Sequence, residues 1–233
     1  MRTRLRSDSR SAGAGRSSCC GSIEAQFDVE RVRGELEAYR RKGPHKTTRL
    51  MIEELTGRGV DGLSVLDIGG GVGALIAGLI EAGIDRAIHL EISSAYSEAA
   101  SEVARDRGYS DRLETRVGDI VAMTSELPQV DVVTLDRVIC CYPDMPAIVR
   151  ASAPRARSLL AVSYPRDGWP VHAATGFKNA RRSRKGNDFR TYLFPHADID
   201  REIRSTGFEL AWAHGILAWR IALYERPDSA SIQ

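Results

Sequence analysis

The residues Val65-Leu66-Asp67-Ile68-Gly69-Gly70-Gly71-Val72-Gly73 place an acid two positions before a run of glycines. Glycines at this density let a chain turn sharply from strand to helix and let a ligand approach the backbone, because no Cβ stands in the way. The turn alone does not choose the ligand, since nicotinamide and flavin enzymes share it, and Ala74 is an allowed variant at the position of their third glycine. The acids discriminate better. Asp67 is placed to hold an amino acid end, directly or through water. Glu91, 24 positions later, closes an apolar run where a carboxylate can accept both hydroxyls of a ribose. Asp119, in Gly118-Asp119-Ile120, follows the next such run and is positioned to accept from an adenine amino group. Taken singly, Glu91 reads as a cap and Asp119 as a turn former. Three acids at successive strand ends beside one glycine turn instead fit an adenosine joined to an amino acid. The candidate binding set is Asp67, Gly69, Gly70, Gly71, Gly73, Glu91, Ile92, Asp119, Ile120 and Asp136.

The elements that must hold these residues follow from periodicity. Short apolar strands are expected at Ser64–Ile68, Ala87–Ile92, Leu113–Val117, Val130–Ile139 and Ser158–Tyr164. Helices are expected over Ala74–Glu81, Ser94–Arg107 and Met145–Ala153. Strands alternating with helices argue an α/β fold with a parallel sheet covered on both faces. A last helix near Ala197–Ser205 precedes two strands, Phe208–Ala213 and Ala218–Tyr224, with Gly215 read as the hairpin between them. The expected order is 3-2-1-4-5-7-6, with strand 7 antiparallel between 5 and 6. Upstream, Ile23, Phe27, Val32, Leu36 and Tyr39 are near helical spacing up to Lys42. Gly43-Pro44 stops that helix, and a second runs over Lys46–Leu55. The expected organisation is therefore a disordered basic tail over 1–21, a helical arm over 22–59, a domain over 60–226 with a lid-like insertion at 166–196, and a tail over 227–233.

These residues resemble class I S-adenosylmethionine-dependent methyltransferases over 64–165. More narrowly, Leu135-Asp136-Arg137-Val138-Ile139-Cys140-Cys141-Tyr142-Pro143 is similar to the segment after strand four in the magnesium-protoporphyrin methyltransferase group. Weaker similarity continues through Ser163-Tyr164-Pro165 and Phe189-Arg190-Thr191-Tyr192. The resemblance implies a Rossmann-like seven-stranded fold, S-adenosyl-L-methionine as cofactor, and a small-molecule acceptor with a carboxylate or hydroxyl on a flat or aromatic frame. Those porphyrin enzymes carry histidine before the Tyr-Pro pair, where this chain has Cys141. Methyl transfer from a sulfonium is an in-line displacement, so positioning supplies much of the rate. A carboxylate acceptor needs no base. A hydroxyl acceptor needs one, for which Asp136, His172 and His196 are the candidates. Cys141 and Tyr142 stand where the acceptor chemistry is expected, and strand alternation would turn one of Cys140 and Cys141 into the core.

Composition narrows the classes. The 233 residues are 42% hydrophobic, and no apolar run approaches the roughly 18–20 residues that span a bilayer. The four cysteines form two adjacent pairs, Cys19-Cys20 and Cys140-Cys141, which are poor disulfide partners, so a reducing, cytoplasmic setting is expected. No metal site is expected. Charge is uneven: five Arg against one Asp lie in residues 1–20, and six cations against Asp188 lie in 178–190. The second cluster, interleaved with Trp169, Phe177, Phe189, Tyr192 and Phe194, suits a lid that stacks on an acidic flat acceptor. It equally suits an RNA methyltransferase or a solvated helix. The same residues are also compatible with a non-catalytic S-adenosylmethionine-binding protein. The paired thiols admit an arsenite methyltransferase, and the shared glycine turn admits a nicotinamide oxidoreductase.

Overall fold

The computed structural model describes Gly21 and residues 26–227. Residues 1–20 of the tail expected over 1–21, with the Cys19-Cys20 pair, the start of the arm at 22–25 and the end at 228–233 lie outside the described residues. The sheet has seven strands: β1 Ser64–Ile68, β2 Arg86–Glu91, β3 Leu113–Val117, β4 Val130–Asp136, β5 Ala156–Pro165, β6 Glu209–Ile216 and β7 Trp219–Glu225. Their order is β3-β2-β1-β4-β5-β7-β6, the expected one. The first five are parallel, and β7 is antiparallel to both β5 and β6. The helices are α1 Val29–Lys42, α2 Lys46–Gly57, α3 Ala74–Glu81, α4 Ser94–Asp106, α5 Ile120–Met123, α6 Met145–Ser152, α7 Trp169–Arg184 and α8 His196–Ser205.

Alternation along the strands divides the core. Val65, Ala87, Val132 and Leu159 join one cluster, with α1, α2, α3 and α4 residues. Leu66, Ile88, Val133 and Leu160 join the other, with α6 and α8 residues. Toward the carboxyl ends the second face stays apolar with Ile68, Leu90, Leu135 and Val162. The first face turns polar there, carrying Asp67, His89, Glu91, Thr134, Asp136 and Ser163. Register sets them side by side: Asp67 is opposite His89 and Thr134, and Asp136 is opposite Ser163. The arm helices bury Leu36, Tyr39, Met51 and Leu55 against this face.

Several boundaries differ from expectation by a residue or more, three of them as follows. β4 ends at Asp136 rather than Ile139, because Arg137 adopts a left-handed φ of 63° and Ile139–Cys141 winds into a 3-10 turn. The hairpin turns at Leu217-Ala218, not at Gly215, which lies within β6. α1 begins at Val29, since the Asp28 side chain accepts from the Arg31 backbone N–H and caps it there.

Candidate functional site

The glycine turn leaves β1 with Gly69 at φ 65°, where a Cβ would lie 2.6 Å from a methyl of Val138. A Cβ on Gly70 would lie 2.3 Å from the Asp67 carboxylate. The turn is therefore closed onto the strand ends from both sides, and only glycine fits. His89 holds it from below: its Nε2 is 2.9 Å from the Gly71 carbonyl oxygen. Burial pushes the imidazole pKa down to about 4, so the ring is neutral at ordinary pH and donates this bond from Nε2.

Two adjoining clefts flank the turn. The first, of about 390 Å³, runs past Gly69, Gly71, Glu91, Ile92, Asp119 and Ile120 toward Cys140 and Cys141. The second, of about 480 Å³, lies between the arm and the turn, beside Asp67, Gly70, His45 and Thr48. Both are lined by Glu35, Gly69, Gly71, Asp136 and Arg137, so the clefts meet over the end of β4. The polar groups are poised for a ligand. The Glu91 carboxylate accepts from the backbone N–H of Ile92 at 2.8 Å and of Gly71 at 3.2 Å, and burial raises its pKa. Asp119 accepts from the Val121 N–H at 3.0 Å. Asp67 is fully buried; Oδ1 accepts from the Thr134 hydroxyl at 2.7 Å, while Oδ2 has no hydrogen-bond partner. Burial pushes the Asp67 pKa up to about 7. An orphaned buried carboxylate oxygen calls for a compensating donor or cation, which suits the ammonium end of an amino acid ligand.

The candidate acceptor residues separate. Asp136 sits where the clefts meet, accepting from the Thr48 and Ser163 hydroxyls. Cys140 and Cys141 both line the first cleft from one 3-10 turn, and, as expected of one of the pair, Cys140 is buried in the core while Cys141 is partly exposed. The Tyr142 hydroxyl donates to Asp119 at 2.8 Å, which places it beside that carboxylate. His172 is exposed on α7, 3.0 Å from the Gly168 carbonyl through Nδ1, and lines neither cleft. His196 accepts from the Asp167 N–H at 2.9 Å and packs edge-on against Tyr164. Gly73 lines neither cleft; its Cβ would meet Ala100 at 3.1 Å, so it serves helix packing. Among the described residues no group of three or more His, Cys, Asp or Glu could hold a metal.

The rest of the cleft lining combines the expected lid with residues of the arm that the sequence did not single out. From the arm come Phe27, Arg31 and Glu35, and the Tyr96 hydroxyl donates to Glu35 at 2.5 Å. From α7 come Val171, Ala174, Thr175, Lys178 and Arg182, whose spacing is one helix face. Arg182 lies over the Phe189 ring, 5.0 Å from its centre, and donates to Thr191 at 3.0 Å. Arg181, Arg184 and Lys185 are exposed outside the cleft. A lid over 166–196 was expected; which of its residues form a helix and face the cleft was not.

Comparison with known proteins agrees with this geometry. The Methyltransferase domain family matches residues 60–214, and the chain belongs to it. With the strand order and glycine turn above, it has the fold of class I S-adenosylmethionine-dependent methyltransferases. Among curated relatives, ribosomal protein L11 methyltransferase of Enterobacter sp. (strain 638) is 36% identical over 72 residues; the match covers 31% of this chain and only 25% of that protein's length. Among solved structures, magnesium protoporphyrin IX methyltransferase from Synechocystis PCC 6803 with bound SAH superposes with a TM-score of 0.67 at 18% identity. It covers 90% of this chain and 100% of that one. An O-methyltransferase family protein from Burkholderia thailandensis gives 0.66 at 16% identity, covering 86% and 61%. At these identities the structural likeness concerns the fold.

Proposed function

We propose that the chain transfers the methyl group of S-adenosylmethionine to a small flat or aromatic acid, at its carboxylate. The observation that carries this reading is the far wall of the first cleft, where Phe27, Phe189 and Trp219 lie among Arg31, Lys178 and Arg182. Rings stack on a flat acceptor, and the cations pair with its acidic groups. Of the three base candidates only Asp136 lines that cleft, and it already holds the Thr48 and Ser163 hydroxyls, which favours an acceptor already ionised at neutral pH over a hydroxyl that needs a base. Lying outside the cleft, Arg181, Arg184 and Lys185 give little support to an RNA acceptor held at the site.

In this reading Asp119 accepts from the adenine amino group, Glu91 from the ribose hydroxyls, and Asp67 with Asp136 balances the charge of the amino acid end. Gly69, Gly70 and Gly71 admit the ligand to the backbone, and Ile92 and Ile120 flank the base. When bound, S-adenosylmethionine supplies an electrophilic methyl on a sulfonium. Arg31, Lys178 and Arg182 orient the acceptor carboxylate, while Cys141 shapes the space around it. Residues 60–226 form the catalytic domain, 22–59 an arm behind the amino acid end, and 166–196 a lid that excludes water. No described helix is long and apolar enough to cross a membrane, and the unbridged Cys140 and Cys141 suit a reducing, cytoplasmic compartment.

The test is a panel of aromatic carboxylic acids and matched phenols incubated with methyl-labelled cofactor. Label should enter the acids as esters that alkali releases as methanol. Alkali-stable product from the phenols alone would replace the carboxylate with a hydroxyl. Absence of turnover with tight cofactor binding would favour a non-catalytic binding protein.

A further inference from the structure

The thiols of Cys140 and Cys141 take no part in the methyl transfer derived above, yet the fold presents them together. Both residues line the acceptor end of the first cleft. Their sulfurs are 4.0 Å apart, and each lies 3.6 Å from the Arg137 carbonyl oxygen. That convergence comes from the left-handed Arg137, after which the chain winds into the 3-10 turn carrying both cysteines. The gap is about twice the ~2.05 Å of a disulfide, and neighbouring cysteines close one poorly. It is well matched to a single interposed atom, since two thiolate bonds of about 2.3 Å together reach ~4.6 Å.

We propose that Cys140 and Cys141 form a chelating site for a thiophilic centre that takes two sulfurs, such as a trivalent organoarsenical. The step is a ligand exchange without redox change. Two S–H bonds and the arsenic–oxygen bonds break, two As–S bonds form, and the thiol protons leave with the oxygen as water. Soft thiolates select such centres over harder ions. The surroundings support ionisation of one partner: the hydrogen bond from Cys140 lowers the Cys141 pKa, with the positive Arg137 and Arg182 also favouring the thiolate. Burial and its neighbour hold Cys140 protonated until the second bond forms. A loaded site would fill the acceptor end of the cleft, so the chelate is a second ligand site that competes with the acceptor. Its chelating chemistry does not depend on the acceptor's identity.

The test uses the full chain with Cys19→Ser and Cys20→Ser, leaving the other pair as its only cysteines, kept reduced with a phosphine. Phenylarsine oxide is titrated and followed by intact mass and by thiol counting. One phenylarsenic per chain and loss of both thiols are expected. Cys140→Ser and Cys141→Ser should each weaken retention at least a hundredfold, while iodoacetamide still alkylates Cys141 in the Cys140→Ser protein. That alkylation, with an unchanged circular dichroism spectrum, shows a folded chain with an accessible single thiol. No retention by the parent, or equal retention by the single-thiol variants, overturns the proposal.

Discussion

Asp67 and His89 are opposite each other on β1 and β2, both buried, and burial moves their pKa values in opposite senses, to about 7 and about 4. Between about pH 4 and 6.5 the unfolded chain carries one proton on this pair, on the histidine. The folded chain also carries one, on Asp67. The two contributions to the pH dependence of stability therefore cancel across that window. Separating them should expose each. In His89→Gln, which keeps a donor for Gly71, Asp67 acts alone and the folded state binds more protons. Stability relative to the parent should fall as pH rises from about 4 to 7, by roughly 4 kcal/mol over the full shift. In Asp67→Asn, His89 acts alone, and relative stability should fall as pH drops below about 6.5. Urea unfolding at half-unit pH steps measures both; parallel curves for parent and variants would contradict the assignment. Glu91→Ala, which removes the acceptor for two hydroxyls, should weaken S-adenosylmethionine binding by about 1.5–3 kcal/mol, ten- to a hundredfold, in isothermal titration. Unchanged affinity would place the ligand elsewhere. Asp67, Glu91 and Asp119 were legible because acids ending apolar runs are conspicuous. His89 and Thr134 were visible only as polar interruptions in Ala87-Ile88-His89-Leu90 and Val132-Val133-Thr134-Leu135, and it takes the register to make them neighbours of Asp67.

At the scale of elements, strand alternation explains what could be read. One face of each central strand is apolar to its end and the other turns polar only near the carboxyl end, so the strands declared themselves while the site was confined to a few positions. The Arg137 conformation that ends β4 is not legible, because a left-handed arginine has no local sequence signature. It nonetheless decides that Cys140 and Cys141 share a side. α7 was readable as a basic, aromatic stretch, but which cations face inward depends on where the helix docks. Lys178→Glu, inside the cleft, should raise the acceptor KM about tenfold or more and leave cofactor affinity unaltered, since a charge-assisted bond is worth roughly 1.5–3 kcal/mol. Arg181→Glu and Arg184→Glu, outside it, should change KM less than twofold. Equal effects at inner and outer positions would mean that α7 acts through its general field rather than by contact.

For the whole molecule, the arm closes the site from behind the glycine turn. Thr48 of α2 donates to Asp136, and the Ser93 hydroxyl donates to the Phe27 carbonyl at 3.1 Å. These contacts join distant segments, which is why an arm read as two helices gave no sign of its role. A ligand held between arm and sheet stabilises both. S-adenosylhomocysteine at a hundred times its Kd should add about 2.7 kcal/mol, raising Tm by roughly 5–10 °C for a chain of this size, whereas NADH should leave Tm unchanged. Methyl transfer to a small molecule is read from the fate of labelled methyl groups. The full chain is incubated with methyl-labelled S-adenosylmethionine and a cell extract, with and without RNase, and the products are separated by size. Methyl transfer to a small acid puts label in a low-molecular-weight, alkali-labile fraction that RNase does not change. Label confined to RNA, or to protein, would contradict it.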